Sequence, residues 1–479
     1  MTPADRDLAA ALAVTRFGLG ARPGELDQAR RDPQGFLTAQ IRREGADQPA
    51  GAASSDERLA AFRDYQQERR AERREAAPAS AQGGAAPAVR DPAKAAAGML
   101  RQEIGQDFGA RLKLAATTEA SFRERWATFW ANHFTVSATK LVTATIVGPF
   151  EQEAIRPHVF GRFEDLLVAA ETHPAMVTYL DQAQSIGPNS PAAEFLKRGG
   201  ARLQPVANRT VGLNENLARE ILELHTVGVA GGYSQADVTE FARAMTGLSL
   251  AGPGRGSGGV GAAIFRPQAH EPGARMVMGV RYDQDGQAQS AAVLADLAAK
   301  PQTARFVCAK IARHFVADEP PAALIARLEA AWMSSRGDLS RVAEALVAAP
   351  EAWAPQAGKF KTPYEFVVSS YRAAGVQPQA VEKVLPVLTA LGQKPFSAPS
   401  PKGWPDDAPS WAAPDAIVKR MQFAQGFAAL AIGDRDPSLL AREALGVRLS
   451  AETAQAVARA ESRPEGLALL LMSPEFQRR

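Results

Sequence analysis

The chain has 479 residues and a single cysteine, Cys308, so an intrachain disulfide is excluded. Cys308 lies in the apolar run ARFVCAKIARHF, where the expectation is a small buried hydrophobe. No apolar stretch reaches the roughly 18 residues a membrane helix needs, so no transmembrane segment is expected. The opening MTPADRDLAAALAVTRFGLGARPGE has no basic n-region, and its apolar stretch is short and cut by arginine. Without a signal peptide the expected compartment is cytoplasmic; a leader missing from this chain would make it periplasmic or exported.

Charge of one sign is also scarce. Lys and Arg total 55 against 52 Asp and Glu, a formal net charge of +3. The arginines between Arg63 and Arg74 are interleaved with Asp64, Glu68 and Glu72, which reads as a solvated helix. No basic patch marks a nucleic-acid partner. Standard catalytic signatures are missing: no HExxH, no His-x-His, no cysteine cluster and no GxSxG. A literal GxGxxG (Gly254, Gly256, Gly259) follows a helical pattern rather than a strand, so it reads as a loop.

What is present is helical periodicity. Segments of 10 to 18 residues separated by Gly, Pro and Asp recur, among them Ser121–Phe134, Leu213–Val227, Gln235–Leu248, Thr303–Phe315, Leu339–Ala348 and Pro363–Ala374. The expected fold is mainly α: a large multi-helix globular unit with a small β-hairpin near 264–282. The expected organisation is an N-terminal helical region over 1–75, a flexible linker over 76–95, and a main helical domain over 96–479 carrying a mobile Gly-rich loop at 251–262. Ser234, Asp318 and Asp415 stand where helix caps or pre-helix residues are expected.

The densest polar stretch is NENLAREILELHTVG, Asn214 to Gly228. At about 100° per residue, with Asn216 at zero, Glu220 falls near +40° and Glu223 near −20°. Leu213, Leu217, Leu224 and Val227 occupy the same side, so Glu220 sits inside the apolar stripe. A carboxylate there must be paired, protonated or metal-bound. His225 falls about 180° from Asn216 and so points away from Glu220, toward the helix's C-terminal carbonyls. Glu220 and Glu223, spaced i and i+3, could hold a divalent metal between them.

Six histidines are available. His133 shares a helix face with Trp126, Phe129 and Trp130, beside Asn132 and Ser137, and reads as a core histidine or as an acid/base. His158 and His173 flank helix ends and read as structural or capping. Asp181, with Asn189 and Ser190 beyond it, offers oxygen ligands. In SAPSPKGWPDDAPSW, Trp404 and Trp411 bracket Asp406 and Asp407, a loop able to line a cleft.

Together these stretches resemble the bacterial family catalogued as domain of unknown function 1800. The matching segments are RFGLGARPGE, WANHFTVS, AIRPHVFGRFEDLL, HPAMVTYLDQAQSIGPNS, LNENLAREILELHTVGVAGGYSQADV, FRPQAHEPGARMVMG, ARHFVADEPP, KFKTP and PKGWPDD, in order along nearly the whole chain. Where the family commonly shows LDN, this chain has Leu180, Asp181 and Gln182. The resemblance implies no settled activity. It implies a partner: the family's members are frequent genomic neighbours of domain of unknown function 1501 proteins, which resemble sulfatases and alkaline phosphatases. The leading expectation is a binding or maturation partner of such a protein. Its polar cleft is built from Asn214, Asn216, Arg219, Asp181, Trp404, Asp406 and Asp407. The alternative is a metal-assisted hydrolase with Glu220, His133 and His225 as catalytic groups and Glu220 and Glu223 on the metal.

Overall fold

The computed structural model describes residues 2–51, 53–81, 92–198, 212–251, 261–356, 358–378 and 381–479. The protein is mainly α-helical, with two small antiparallel two-stranded sheets. The helices form where the apolar spacing demands. Leu339–Ala348 buries Leu339, Val342, Ala343, Leu346 and Val347, a single stripe, and starts on an Asp338 cap. Pro301–Phe315 buries Ala304, Val307, Cys308, Ile311, Ala312 and Phe315 in the same way. Ser234 caps Gln235–Met245 with a full capping box. Asp318 precedes the helix Ala322–Ser335 without being its N-cap and joins an ion pair described below, and Asp415 lies inside the first turn of Pro414–Ala431.

Strands β1 (Leu248–Leu250) and β2 (Ala263–Phe265) pair with Leu248 opposite Phe265. Strands β3 (Arg275–Val277) and β4 (Val280–Tyr282) form the expected hairpin, with Val277 opposite Val280. Its two-residue turn, Met278 and Gly279, has both φ values positive, at 49° and 79°. That is the turn whose twist matches the strands. The Met278 N–H donates to Asp237 Oδ1 at 2.6 Å, tying the hairpin to the start of Gln235–Met245. Residue 264, at the front of the expected hairpin, pairs backward with β1 instead.

The N-terminal helix Pro3–Leu12 and the turn after it share the main core: Phe17 meets Phe122 at 6.3 Å and Phe315 at 6.5 Å. A second apolar cluster joins Phe366 to the C-terminal helices, and a third links Phe108 and Leu112 to Tyr364, Val367 and Leu388. Buried arginines fasten these regions. Arg372 donates to the carbonyls of Gly20, Ala115 and Thr118 and pairs with Glu25 at 2.8 Å. The expected linker begins inside the helix Ser55–Ala81 and ends inside the helix Pro92–Thr117; its remaining residues, 82–91, lie outside the described residues. So do residues 252–260, with Gly254, Gly256 and Gly259. Among the described residues no helix is long and apolar enough to cross a membrane.

Candidate functional site

The helix Ser121–His133 organises the site. Its aromatic face is anchored by Trp126, whose Nε1 donates to the Val159 carbonyl at 2.6 Å. Arg125, Phe129, Asn132 and His133 lie along its length, and three other segments meet them.

The first meeting point is His133. Its Nε2 lies 3.1 Å from the backbone oxygen of His225, and its Nδ1 lies 2.9 Å from Lys310 Nζ. A carbonyl only accepts and an ammonium only donates, so the proton of the neutral ring belongs on Nε2. Burial holds the His133 pKa well below 6.5, and the Lys310 charge adds to this. Burial also lowers the Lys310 amine to about 8, with Asp406 opposing and Lys402 reinforcing the drop. Beyond His133, the His225 ring approaches Glu171 at 2.7 Å, both side chains fully buried. The two imidazoles are 5.9 Å apart. A file of polar groups thus runs from Lys310 through His133 and His225 to Glu171.

The second meeting point is His314, one helical turn after Lys310. His314 Nδ1 lies 3.1 Å from Asp406 Oδ2. Asp406 also meets Lys359 at 3.3 Å and Arg479 at 3.5 Å. Arg479 pairs with Glu365 at 2.9 Å, and Arg125 pairs with the same carboxylate at 3.2 Å. Lys359 reaches Asp318 at 2.6 Å. Three acids (Asp318, Glu365, Asp406) face three cations (Arg125, Lys359, Arg479), which is how so many charges can be buried together. Burial lowers the His314 pKa to about 4 against the pull of Asp406. Burial pushes Glu365 up, but Arg479 and Arg125 outweigh it and hold the carboxyl at about 2.

Beside this network is a pocket of about 110 Å³. Its lining includes Trp404, Pro405 and Asp406 together with Asn132, His314, Tyr364 and Glu365. Asn132 fixes the loop: Nδ2 donates to the Trp404 carbonyl at 3.0 Å, and the Trp404 N–H donates to Oδ1 at 2.8 Å. Gly403 adopts φ +86°, and a Cβ there would stand 2.4 Å from the Asn132 carbonyl oxygen. Only glycine lets the loop approach so closely.

The structure therefore brings together Trp404 and Asp406 in one group and His133 and His225 in the other, linked by the helix of Lys310 and His314. It does not bring in the rest. Asp181 sits in left-handed backbone at φ 58° and pairs with Lys140 at 2.8 Å, 45% exposed. Asn189 holds the buried Glu271, and Ser190 caps the helix Pro191–Lys197. Asn214 braces the loop, donating to the Leu180 carbonyl at 3.1 Å and accepting from the Asn216 N–H. Arg219 pairs with Glu215 at 3.0 Å. Asp407 caps the short helix Ala408–Trp411. None of Asn214, Asn216 and Arg219 lines the pocket beside the Trp404 loop.

The helix of Glu220 also departs from the expected wheel. It is α-helical only over Asn216–Glu220 and continues as a π turn over Ile221–His225. The wider turn changes the angular positions after Glu220. His225 is therefore buried against Glu171 rather than placed at open C-terminal carbonyls. Glu220 is partly buried; burial raises its pKa, His225 counters, and Glu223 adds to the rise. Glu223 lies 3.5 Å from the Tyr233 hydroxyl. Among the described residues no three His, Cys, Asp or Glu side chains gather closely enough to hold a metal, so the Glu220–Glu223 pair finds no third such ligand there. Residues missed from sequence were Glu171, Lys310, His314, Glu365, Arg125 and Arg479. The run ARHF and the KFKTP segment carried the only local hint.

The architecture is that of a large helical protein with a mostly apolar pocket beside a tryptophan loop. The chain matches the family described as protein of unknown function (DUF1800) over residues 12–478 and belongs to it. Neither the curated proteins nor the solved structures provide a match.

Proposed function

We propose that the protein is a binding or maturation partner of a sulfatase- or phosphatase-like protein, with the loop around Trp404 as its contact site. The carrying observation is that this loop is already set. Asn132 grips the Trp404 backbone at both ends, and His314, Lys359 and Arg479 fix Asp406. A partly exposed tryptophan on a loop that needs no further ordering makes an efficient anchor, because little conformational entropy is lost on docking. The class of partner rests on the resemblance alone, through the neighbouring family of domain of unknown function 1501. The test is co-purification of tagged protein under gentle lysis from cells producing both proteins. Wild type recovers the sulfatase-like protein, and Trp404→Ala recovers markedly less without loss of thermal stability. A wild-type protein that recovers no such partner removes the proposal. Fractionation of the same cells tests the cytoplasmic expectation.

A second reading, a metal-assisted hydrolase, is favoured by Glu220. Its partly buried carboxyl has a raised pKa beside Glu223 and His225, a combination common at catalytic centres. Elemental analysis of protein purified without chelators decides. One divalent metal per chain, lost in Glu220→Gln, supports this reading; no bound metal and an unchanged phenotype in that variant discard it.

A further inference from the structure

Lys310 carries an amine that no carboxylate holds among the described residues. The side chain is partly exposed, and Nζ stands 5.6 Å from the centroid of the Phe306 ring. Its polar contact is His133 Nδ1, at 2.9 Å. That imidazole is held from behind, with Nε2 at 3.1 Å from the His225 carbonyl oxygen, so Nδ1 turns its lone pair to the amine. The neighbouring lysines differ. Lys359 meets Asp318 at 2.6 Å, and Lys361, 3% exposed, is closed in by Ser369 and the Phe476 ring.

The charge around Lys310 is one-sided. Lys402 and Arg313 both act against its ammonium form. Both are exposed, and neither has an ion pair among the described residues. Asp406 pulls the other way, but His314, Lys359 and Arg479 already hold it. Burial, with the two cations behind it, brings the amine down to about 8. A lysine that sheds its proton near neutral pH, through desolvation and neighbouring cations, is a nucleophile. Once neutral, the amine donates an N–H to His133 Nδ1, and this contact restrains the direction of its own lone pair.

We propose that Lys310 is the nucleophile of a site that takes a small carbonyl compound bearing an acid group and holds it as an imine. The Nζ lone pair adds to the carbonyl carbon, forming the N–C bond, and the carbonyl oxygen becomes a hydroxyl. The C–O bond then breaks as the C=N bond closes, and two nitrogen protons leave with the oxygen as water. Ammonium and carbonyl compound together give a protonated imine and one water, with no oxidant or reductant. His133 is a positioning residue that aims the amine. Lys402 and Arg313 supply the charge that the acid group meets. The inference goes beyond the partner reading, and its readouts use the isolated chain.

The test traps imines on the full chain with cyanoborohydride and reads each lysine by peptide mass spectrometry. The probes are glyoxylate and glycolaldehyde, an uncharged aldehyde of the same size. Near neutral pH, Lys310 is trapped at least about tenfold faster than the exposed Lys113 and Lys394. Its lead is at least about threefold larger with glyoxylate than with glycolaldehyde. Its rate climbs with pH to a midpoint of about 8. Concentrated urea abolishes the lead, because the neighbours that create it are gone. Lys402→Gln, an exposed change that leaves the fold intact, cuts the lead with glyoxylate more than with glycolaldehyde. His133→Gln lowers the plateau of the pH profile and leaves its midpoint in place, whereas a merely loosened fold would move the midpoint toward the ordinary value of about 10. The proposal is overturned if Lys310 is trapped no faster than the exposed lysines, if its lead survives urea, or if both aldehydes give the same lead.

Discussion

Asn132 and Trp404, 272 residues apart, exchange two hydrogen bonds, the amide of one reading the backbone of the other at 3.0 and 2.8 Å. No other described side chain hydrogen-bonds to the Trp404 backbone, so Asn132 holds the Trp404 end of the loop, while His314, Lys359 and Arg479 hold Asp406. Asn132→Ala leaves a donor and an acceptor unmatched and is expected to cost about 1–3 kcal/mol. Hydrogen exchange should rise across residues 401–411 and stay unchanged in the helix Leu339–Ala348. Gly403→Ala reaches the same end by a different route, through positive φ and a 2.4 Å clash with the Asn132 carbonyl. If both variants leave loop exchange at the wild-type level, the loop is held by something other than this clamp.

The tautomer of His133 is a second prediction. With the His225 carbonyl at Nε2 and the Lys310 amine at Nδ1, the ring should be neutral and protonated on Nε2 at pH 7. Two-bond ¹⁵N–¹H spectra distinguish the tautomers. Lys310→Met removes the neighbouring positive charge that helps hold the His133 pKa down, so that pKa should rise. A ring found protonated on Nδ1, or a pKa indifferent to residue 310, contradicts the polar file.

Acid should loosen the second network through His314. Its folded pKa, about 4, lies below the ordinary 6.5. The unfolded chain therefore takes up a proton that the folded chain refuses. Stability from this group is complete above about pH 6.5 and falls as the pH drops toward 4, by about 1.4 kcal/mol per unit. Glu365 begins to act only below its ordinary 4.5, where protonation of the unfolded state draws stability away toward pH 2. Asp107 works the other way: burial raises it to about 6, so its penalty disappears as the pH falls toward 3.8. Because these effects overlap, the clean measurement is a difference. Urea unfolding of wild type and of His314→Gln between pH 6.5 and 4 should diverge in slope by about one proton. Parallel curves would mean that the imidazole is not held neutral.

Much of the fold was legible because helix burial is a local, periodic signal. Leu339–Ala348 and Pro301–Phe315 follow from their own apolar spacing, and the hairpin follows from the Met278–Gly279 turn between short strands. The site was legible only in part. Trp404, Asp406, His133 and His225 were found as chemically loaded residues in loaded segments. Their partners were not, because Arg479 meets Asp406 across 73 residues and Arg125 reaches the His314 carbonyl across 189. No spacing rule spans such distances. The π turn at Ile221–His225 misled the wheel for a related reason: its register depends on burying His225 against Glu171, a tertiary demand that 3.6-residue periodicity does not contain.

The Glu171–His225 pair yields the last prediction. Both side chains are fully buried, and no atom of either makes a side-chain hydrogen bond of good geometry. Such a pair contributes little net stability, yet breaking it is expensive, because the survivor is left polar and alone. Glu171→Leu or His225→Leu should each cost about 3–5 kcal/mol. The double variant should cost less than the sum of the two, and less than the worse single if the apolar pair packs well. A purely structural pair would then be replaceable: the double variant would keep the partner recovery of wild type. If stability returns in the double variant but His133 loses its Nε2-protonated form, the pair acts instead by positioning the backbone carbonyl that orients that ring. Additive costs in the cycle would mean that Glu171 and His225 are not coupled at all, and the polar file would end at His133.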